Sequence, residues 1–486
     1  MQAEALTEVE MAHILRYGMP KATSPRRVII AGGGMSGLAA CLLLKEAGHD
    51  VVLLEASHRI GGRVLTISEP FSEGHYFEAG AMRIPETHSL VLSLVERFGL
   101  KLEPFYTSRP EDLYYINGRR MNAAAYEQDP DALDFPVAPQ EKGFTADQLM
   151  HYATEPLVHF IDEDPEKHWP LVIKRLGGYS VDRFLKENPY GRSLSPGAVD
   201  MIKVMLSLEG FPELSFLEIF RDILVLFKRD LKFFQIVGGN DQLPKRLAKE
   251  VTAEICFGQR VSRITQNEEG VRLNTKHPQT GTTYEVQGDC ALITIPFSVL
   301  NFVRFEPYDS LSYLKRRAIR ELHYAPATKI AVEFRSRFWE QEGLFGGKAV
   351  SDLPIRFAHY PSYRVQGSSG GVVVTSYTWE DDSNIWSLLP NDVRITESLR
   401  CFALIHGNTV YDELVTGSSY SWGRNPFNGG GFTMFKPYQE EEFGHAIGTR
   451  EGHLYFAGEH ASDHHGWMQG ALKSAVKAAV AIQYYQ

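Results

Sequence analysis

The apolar run Val28-Ile-Ile-Ala31 follows a short polar segment, Lys21 to Pro25, and reads as a buried strand. A glycine cluster ends it. Met35 to Ala47 then has the length and apolar spacing of a helix, Gly48 suits its C-cap, and Val51 to Leu54 reads as a second buried strand, which completes a β-α-β unit. From Pro110 to about Arg229, charged and Pro-bounded segments with helical apolar spacing, as in Asp200 to Leu208 and Leu217 to Leu226, predict a helical insertion. Period-two alternation returns at Val261 to Thr265, Val271 to Asn274, Cys290 to Ile295, Thr328 to Phe334 and Gly371 to Tyr377, so the second half is strand-rich. The segment from Leu454 to Gln486 opens with a short strand and closes with a long Ala- and Val-rich helix. The stretch Met1 to Pro20, with Glu4, Glu8 and Glu10 among its apolar residues, reads as a surface helix.

A chain of 486 residues is too long for one ordinary core, so two or three packed units are expected. The composition, 43% hydrophobic and 23% charged, is that of a globular protein. A net charge of −10 with no basic tract argues against nucleic acid as a partner, because phosphate binding needs clustered positive charge. The four cysteines are scattered without a C-x-x-C spacing, which fits free thiols in a reducing compartment. With no basic start, no unbroken apolar leader and no run near the roughly 20 apolar residues of a membrane span, a soluble cytoplasmic protein without membrane contact is expected.

Gly32-x-Gly34-x-x-Gly37 lies between the first strand and the first helix, where a tight glycine turn lets N–H groups at a helix N-terminus approach a pyrophosphate. Glu55 closes the second strand at the place where an acid accepts hydrogen bonds from ribose hydroxyls. NAD and FAD both use this geometry, so the fingerprint alone does not choose between them. Asp463-His464-His465 lacks a third ligand at a recognisable spacing, so no metal site is expected.

The residues that follow narrow the choice. Glu55-Ala56-Ser-His-Arg59-Ile-Gly61-Gly62-Arg63 resembles the extension after the β-α-β unit in the flavin amine oxidase family. Further landmarks are similar to those of its L-amino-acid oxidases: Glu78-Ala-Gly80-Ala81-Met82-Arg83-Ile-Pro85, Val237-Gly-Gly-Asn-Asp241-Gln-Leu-Pro244, Thr328-Lys329-Ile330, and Tyr455-Phe-Ala-Gly458-Glu459 through Gly466-Trp467. The resemblance covers roughly residues 26 to 486 and is loosest across the helical insertion. It implies an α/β fold: a discontinuous Rossmann-like FAD-binding domain (24–65, 236–325, 440–486), a sheet-rich substrate-binding domain (1–23, 66–122, 326–439) and a helical domain (123–235). The cofactor it implies is FAD, contacted by Gly32, Gly34, Met35, Ser36, Gly37, Glu55, Ala56, Arg63, Gly80, Ala81, Met82, Arg83, Val261, Gly458, Glu459, Gly466 and Trp467.

The resemblance also places Arg83 at the substrate carboxylate, and a planar guanidinium is the group best suited to hold a carboxylate by two parallel bonds. By similarity, Tyr377 gives that carboxylate a second hydrogen bond, Lys329 reaches the flavin through a water, Gly466 and Trp467 lie beside the substrate amine, and Phe432 lines the pocket, with Trp379 a further lining candidate. The expected reaction is oxidative deamination of an L-amino acid by O2, giving a 2-oxo acid, ammonia and hydrogen peroxide, in a homodimeric enzyme. Three alternatives stay open: an amine or polyamine oxidase, an amino-acid 2-monooxygenase, and a non-catalytic FAD-bound binding module.

Overall fold

The computed structural model describes residues 6–226 and 231–484; Glu4, the end of the insertion near Arg229, and the last two residues of the segment expected to run to Gln486 lie outside them. At the centre is a five-stranded parallel sheet in the order Glu254–Cys256, Asp50–Leu54, Arg27–Ala31, Cys290–Ile293, Leu454–Phe456. These strands are short and apolar because both faces are covered, the condition parallel strands require. On one face the helix Met35–Ala47 packs against the C-terminal helix Met468–Tyr484; both present small residues that let them approach closely. Gly48 ends the first of these helices in the left-handed conformation (φ 98°), its N–H returning to Leu44 and Lys45.

A seven-stranded sheet runs Leu414–Ser421, Ala327–Phe334, Gly371–Trp379, Phe357–His359, Lys348–Ser351, Leu113–Ile116, Arg119–Asn122. Its strand Ala327–Phe334 is buried along its whole length because it lies between two neighbours and under two helices. A cluster of helices, Ala146–Glu163, Pro165–Leu176, Val181–Lys186, Pro196–Met205 and Phe216–Leu226, closes around its own core of Leu, Met and Phe.

Three readings of the sequence need correction. The predicted insertion from Pro110 is not helical at its start: Leu113–Ile116 and Arg119–Asn122 form a hairpin, turned by Asn117 and Gly118 at positive φ, that completes the seven-stranded sheet. The helix expected over Asp200 to Leu208 runs Pro196–Met205 instead, since Ser195 caps Ala198 N–H, Pro196 fits the first turn, and Ser207 (φ 59°) leaves helical geometry. The N-terminal helix, Glu8–Tyr17, is only half on the surface: Met11, Ile14 and Leu15 are buried against the helix Ser89–Arg97.

Candidate active site

A single cavity of about 1800 Å³ runs from the glycine turn at the parallel sheet to the space between the seven-stranded sheet and the helical cluster. Gly32, Gly34, Met35, Ser36, Glu55, Ala56 and Arg63 line it at one end, with Val261, Gly458 and Glu459. Gly80, Ala81, Met82, Arg83, Tyr377, Phe432, Gly466 and Trp467 line it further along. Two expected site residues do not reach the wall: Gly37 and Lys329.

Gly37 acts by its lack of a side chain. A Cβ there would lie 1.9 Å from the carbonyl oxygen of Gly32, so only glycine lets the first helix start this close to the strand. Gly62 and Gly34 approach so closely that a Cβ on Gly62 would lie 3.2 Å from the Gly34 Cα, leaving a wall made of backbone. Among the described residues no side chain caps the first turn of the helix, and the buried Ser36 hydroxyl at that turn has no hydrogen-bond partner. Free N–H groups, an unpartnered hydroxyl and the partial positive charge of a helix N-terminus fit a dinucleotide pyrophosphate. Glu55 accepts from Gly33 N–H at 2.7 Å and from Ser57 N–H and Oγ at 2.8 and 2.6 Å, which fixes its carboxylate at the cavity wall with lone pairs left for ribose hydroxyls.

Arg63 donates to Glu459 at 2.6 Å. Glu459 also accepts from Thr433 Oγ1 at 2.9 Å and from Gly466 N–H at 2.8 Å, so one carboxylate ties the glycine loop, the sheet domain and the C-terminal turn together. Burial pushes this acid up, but Arg63 and His465 outweigh burial and hold it at about 2. Removing one partner of such a pair costs ~3–5 kcal/mol. Behind it, burial would lower His465, yet Glu218, 2.8 Å from Nδ1, raises it to about 9.

At the other end the guanidinium of Arg83 lies within 5.4 Å of the Phe233 ring centre and 6.0 Å of Trp467. No hydrogen bond or ion pair reaches it among the described residues. Burial lowers its proton affinity, while Tyr377 and Asp222 favour its charge; an arginine stays protonated there. Glu86, a conceivable salt-bridge partner, instead accepts from Lys232 N–H. Asp222 attracts the guanidinium without a hydrogen bond or ion pair between them, so the N–H donors of Arg83 stay open to an anionic ligand.

Tyr377 and Trp379 share a sheet face, with ring centres 4.7 Å apart, because the strand continues through both. Trp379 packs on Phe211 at 4.9 Å, and Phe432 lies 6.3 Å from Phe211, so sheet and helical cluster close an aromatic wall. Lys329 pairs in register with Tyr377 and is buried. Its ammonium donates to the carbonyls of Glu78 (2.9 Å) and Gly80 (2.8 Å) and sits 4.4 Å from the Tyr377 ring centre. Burial lowers Lys329 and raises Glu78, and their mutual attraction opposes both shifts. Lys329 therefore fastens the segment that carries Gly80 and Arg83.

Sequence reasoning missed Asp222. It lines the cavity, accepts from the Trp467 indole N–H at 3.4 Å, and is pushed up to about 6 by burial and by Glu218, with Trp467 and Arg83 opposing. The signal was available: Glu218, Arg221 and Asp222 interrupt an otherwise apolar helix, Phe216–Leu226. Lys348 and His359, which also line the cavity, left no such signal. Among the described residues no group of three or more His, Cys, Asp or Glu could hold a metal ion.

The family profile "Flavin containing amine oxidoreductase" matches residues 35–483. The chain belongs to this family. A Bacillus subtilis strain 168 protein, YobN, whose name assigns it provisionally to the L-amino-acid oxidases, is 42% identical over 98% of this chain and 99% of its own. The L-amino-acid oxidase of Demansia vestigiata is 34% identical over 97% of this chain and 89% of its own. That of Siganus canaliculatus is 33% identical over 97% and 88%. Among solved structures, cyclohexylamine oxidase from Brevibacterium oxydans superposes with a TM-score of 0.76 at 22% identity, over 95% of this chain and 99% of that one. A putrescine oxidase variant superposes with a TM-score of 0.76 at 19% identity, over 94% and 98%. These likenesses establish the fold, a Rossmann-like α/β unit joined to a substrate sheet. The chain is a flavoprotein oxidoreductase, and its flavin is FAD. No helix among the described residues is long and apolar enough to cross a membrane.

Proposed function

We propose that this protein is an FAD-dependent L-amino-acid oxidase, which converts an L-amino acid, O2 and water into a 2-oxo acid, ammonium and hydrogen peroxide. The observation that carries this reading is Arg83, a half-buried guanidinium that no hydrogen bond or ion pair reaches among the described residues, on the cavity wall beside Tyr377. A plain amine has no group to neutralise it; an α-carboxylate does. FAD, when bound, supplies the acceptor for the hydride of the α-carbon and returns the electrons to O2.

The chain's part is positioning, which removes much of the barrier for a unimolecular transfer. Arg83 and the Tyr377 hydroxyl hold the carboxylate. Asp222, whose proton affinity lies near neutrality, takes the proton that the substrate ammonium must lose before its lone pair can assist departure of the hydride. Trp467 and Gly466 border the same space, and Trp467 fixes Asp222 through its indole N–H. Phe211, Trp379 and Phe432 receive the side chain. Lys329 keeps the Gly80–Arg83 segment in place, and its remaining N–H is free to order a water. The domain division 24–65, 236–325 and 440–486 for FAD, with 1–23, 66–122 and 326–439 for substrate and 123–235 helical, belongs to this reading, as do a homodimer and a cytoplasmic location. Four free cysteines support the last point.

The test is anaerobic mixing with L-amino acids followed by product analysis in air. Bleaching of the yellow flavin, then 2-oxo acid and peroxide in equal amounts, is expected. Amide plus carbon dioxide would make the protein a monooxygenase, turnover of plain amines alone would make it an amine oxidase, and an unbleached flavin would make it a binding module.

A further inference from the structure

Beyond Arg83, the face of the seven-stranded sheet that looks into the cavity carries a second polar pair. Lys348 and His359 stand opposite each other in the register of adjacent antiparallel strands, so their side chains leave the same face. Both line the cavity. His359 is only 7% exposed, and its Nδ1 has no hydrogen-bond partner among the described residues, an expensive state for a buried polar atom. The rings of Phe105 and Phe357 lie 6.4 and 5.5 Å from its own, centre to centre. The Lys348 backbone N–H is held by Asp112 Oδ1 at 2.9 Å, but no hydrogen bond or ion pair reaches its ammonium among the described residues. Neither group has a task in positioning the α-carbon.

The charged groups around this pair are Arg83, Lys329, Asp112 and Asp147. Burial most strongly, then Arg83, Lys348 and Lys329, disfavour a second proton on His359 and outweigh its backbone hydrogen bond to Gly347, so the imidazole is neutral, with Nδ1 left without a partner among the described residues. Burial above all, with Arg83, lowers Lys348, while Asp112 and Asp147 favour its charge. A cationic ammonium and a neutral imidazole that share one face, with Arg83 near enough for its charge to act on both, make a donor set for an oxygen acceptor.

We propose that Lys348 and His359 form a second subsite of the substrate cavity, which binds a carboxylate or carboxamide oxygen at the far end of the amino-acid side chain while Arg83 holds the α-carboxylate. This rests on the oxidase reading for the place of the α-carboxylate. The enzyme then accepts acidic or amide side chains that the aromatic wall alone would reject. Lys348 and His359 set specificity and touch no reacting atom.

Calorimetric titration of the FAD-loaded enzyme with non-reacting acids separates this proposal from catalysis. Glutarate carries two carboxylates, glutaramate a carboxylate and an amide, and pentanoate one carboxylate on the same five-carbon chain. Glutarate or glutaramate, or both, should bind about tenfold more tightly than pentanoate, the gain of one charge-assisted hydrogen bond. Whichever binds more tightly identifies the acid or the amide as the preferred group. Lys348→Met should abolish the difference and leave pentanoate within about twofold, while His359→Phe should reduce it by several-fold. Equal binding of all three acids to the unaltered enzyme, or an equal loss for all three in Lys348→Met, would overturn the subsite. Circular dichroism and flavin content of each variant report whether it has folded. A separate Arg83→Ala titration isolates the underlying reading: if pentanoate binding is unchanged there, the carboxylate clamp fails, whatever Lys348 does.

Discussion

At the dinucleotide end of the cavity, the charged side chains Glu55, Arg59, Arg63 and Glu459 have protein partners already. Beside the Glu55 carboxylate and the Ser36 hydroxyl, what this end offers a ligand is backbone, exposed by glycines. The substrate end is the reverse: Arg83 and Lys348 lie in the interior with no hydrogen bond or ion pair to their charged groups among the described residues, and Asp222 accepts one long bond from Trp467. In the proposed oxidase the first end takes a phosphate by shape and helix polarity, and the second takes an amino acid through charged groups that have no hydrogen bond or ion pair of their own. A buried charge that has a partner costs little, whereas one without a partner destabilises the fold and is a better marker of where a ligand's charge goes.

The largest effect that would sharpen this contrast is on the glycine turn. Gly37→Ala places a methyl 1.9 Å from a carbonyl oxygen, so the purified protein should contain essentially no flavin by absorbance; normal flavin content would show that the turn can relax. At the other end, Arg83→Ala should keep the flavin and raise KM by roughly 10² to 10⁴-fold, since two charge-assisted hydrogen bonds of about 1.5–3 kcal/mol each are lost. A parallel loss of flavin would erase the distinction between the two ends.

Asp222→Asn should lower kcat/KM by about a hundredfold near neutrality, the lower range for removing a general base. It should also remove an acid limb. Burial and Glu218 raise this carboxyl to about 6, so it is neutral and inactive below that pH and ionised above it; wild-type kcat/KM should climb as pH rises through about 6, and the variant should lack that rise. A limb that persists in the variant assigns the proton to another group. The smallest effect is on the aromatic wall. Trp379→Leu removes ring contacts worth about 0.5–1.5 kcal/mol beyond area, so preference for aromatic over aliphatic substrates should fall by roughly two- to tenfold, measured as a ratio of kcat/KM values.

Local pattern was enough for the first end. The strand Arg27–Ala31, the helix Met35–Ala47 and the αL cap at Gly48 each follow from residues within a turn of one another, and glycine spacing reports a backbone requirement directly. The hairpin Leu113–Ile116 and Arg119–Asn122 was hidden in a helical-looking segment because its partner strand, Lys348–Ser351, is more than two hundred residues away, and only that pairing decides its state. The sequence pointed to Lys329 as a residue that reaches the flavin through a water. It did not disclose the two hydrogen bonds to the carbonyls of Glu78 and Gly80 that fasten the wall segment.

What the chain order alone determined is the glycine turn, its acid at Glu55, the family to which the whole belongs, and Arg83 as a residue of consequence. The tertiary structure alone decided that no hydrogen bond or ion pair reaches Arg83 among the described residues, that Asp222 comes from a helix in the insertion to stand beside Trp467, and that Lys348 meets His359 across two strands. Backbone conformation is written within a few residues. Whether a buried charge is matched depends on every segment that could have matched it, and that is known only when all of them are in place.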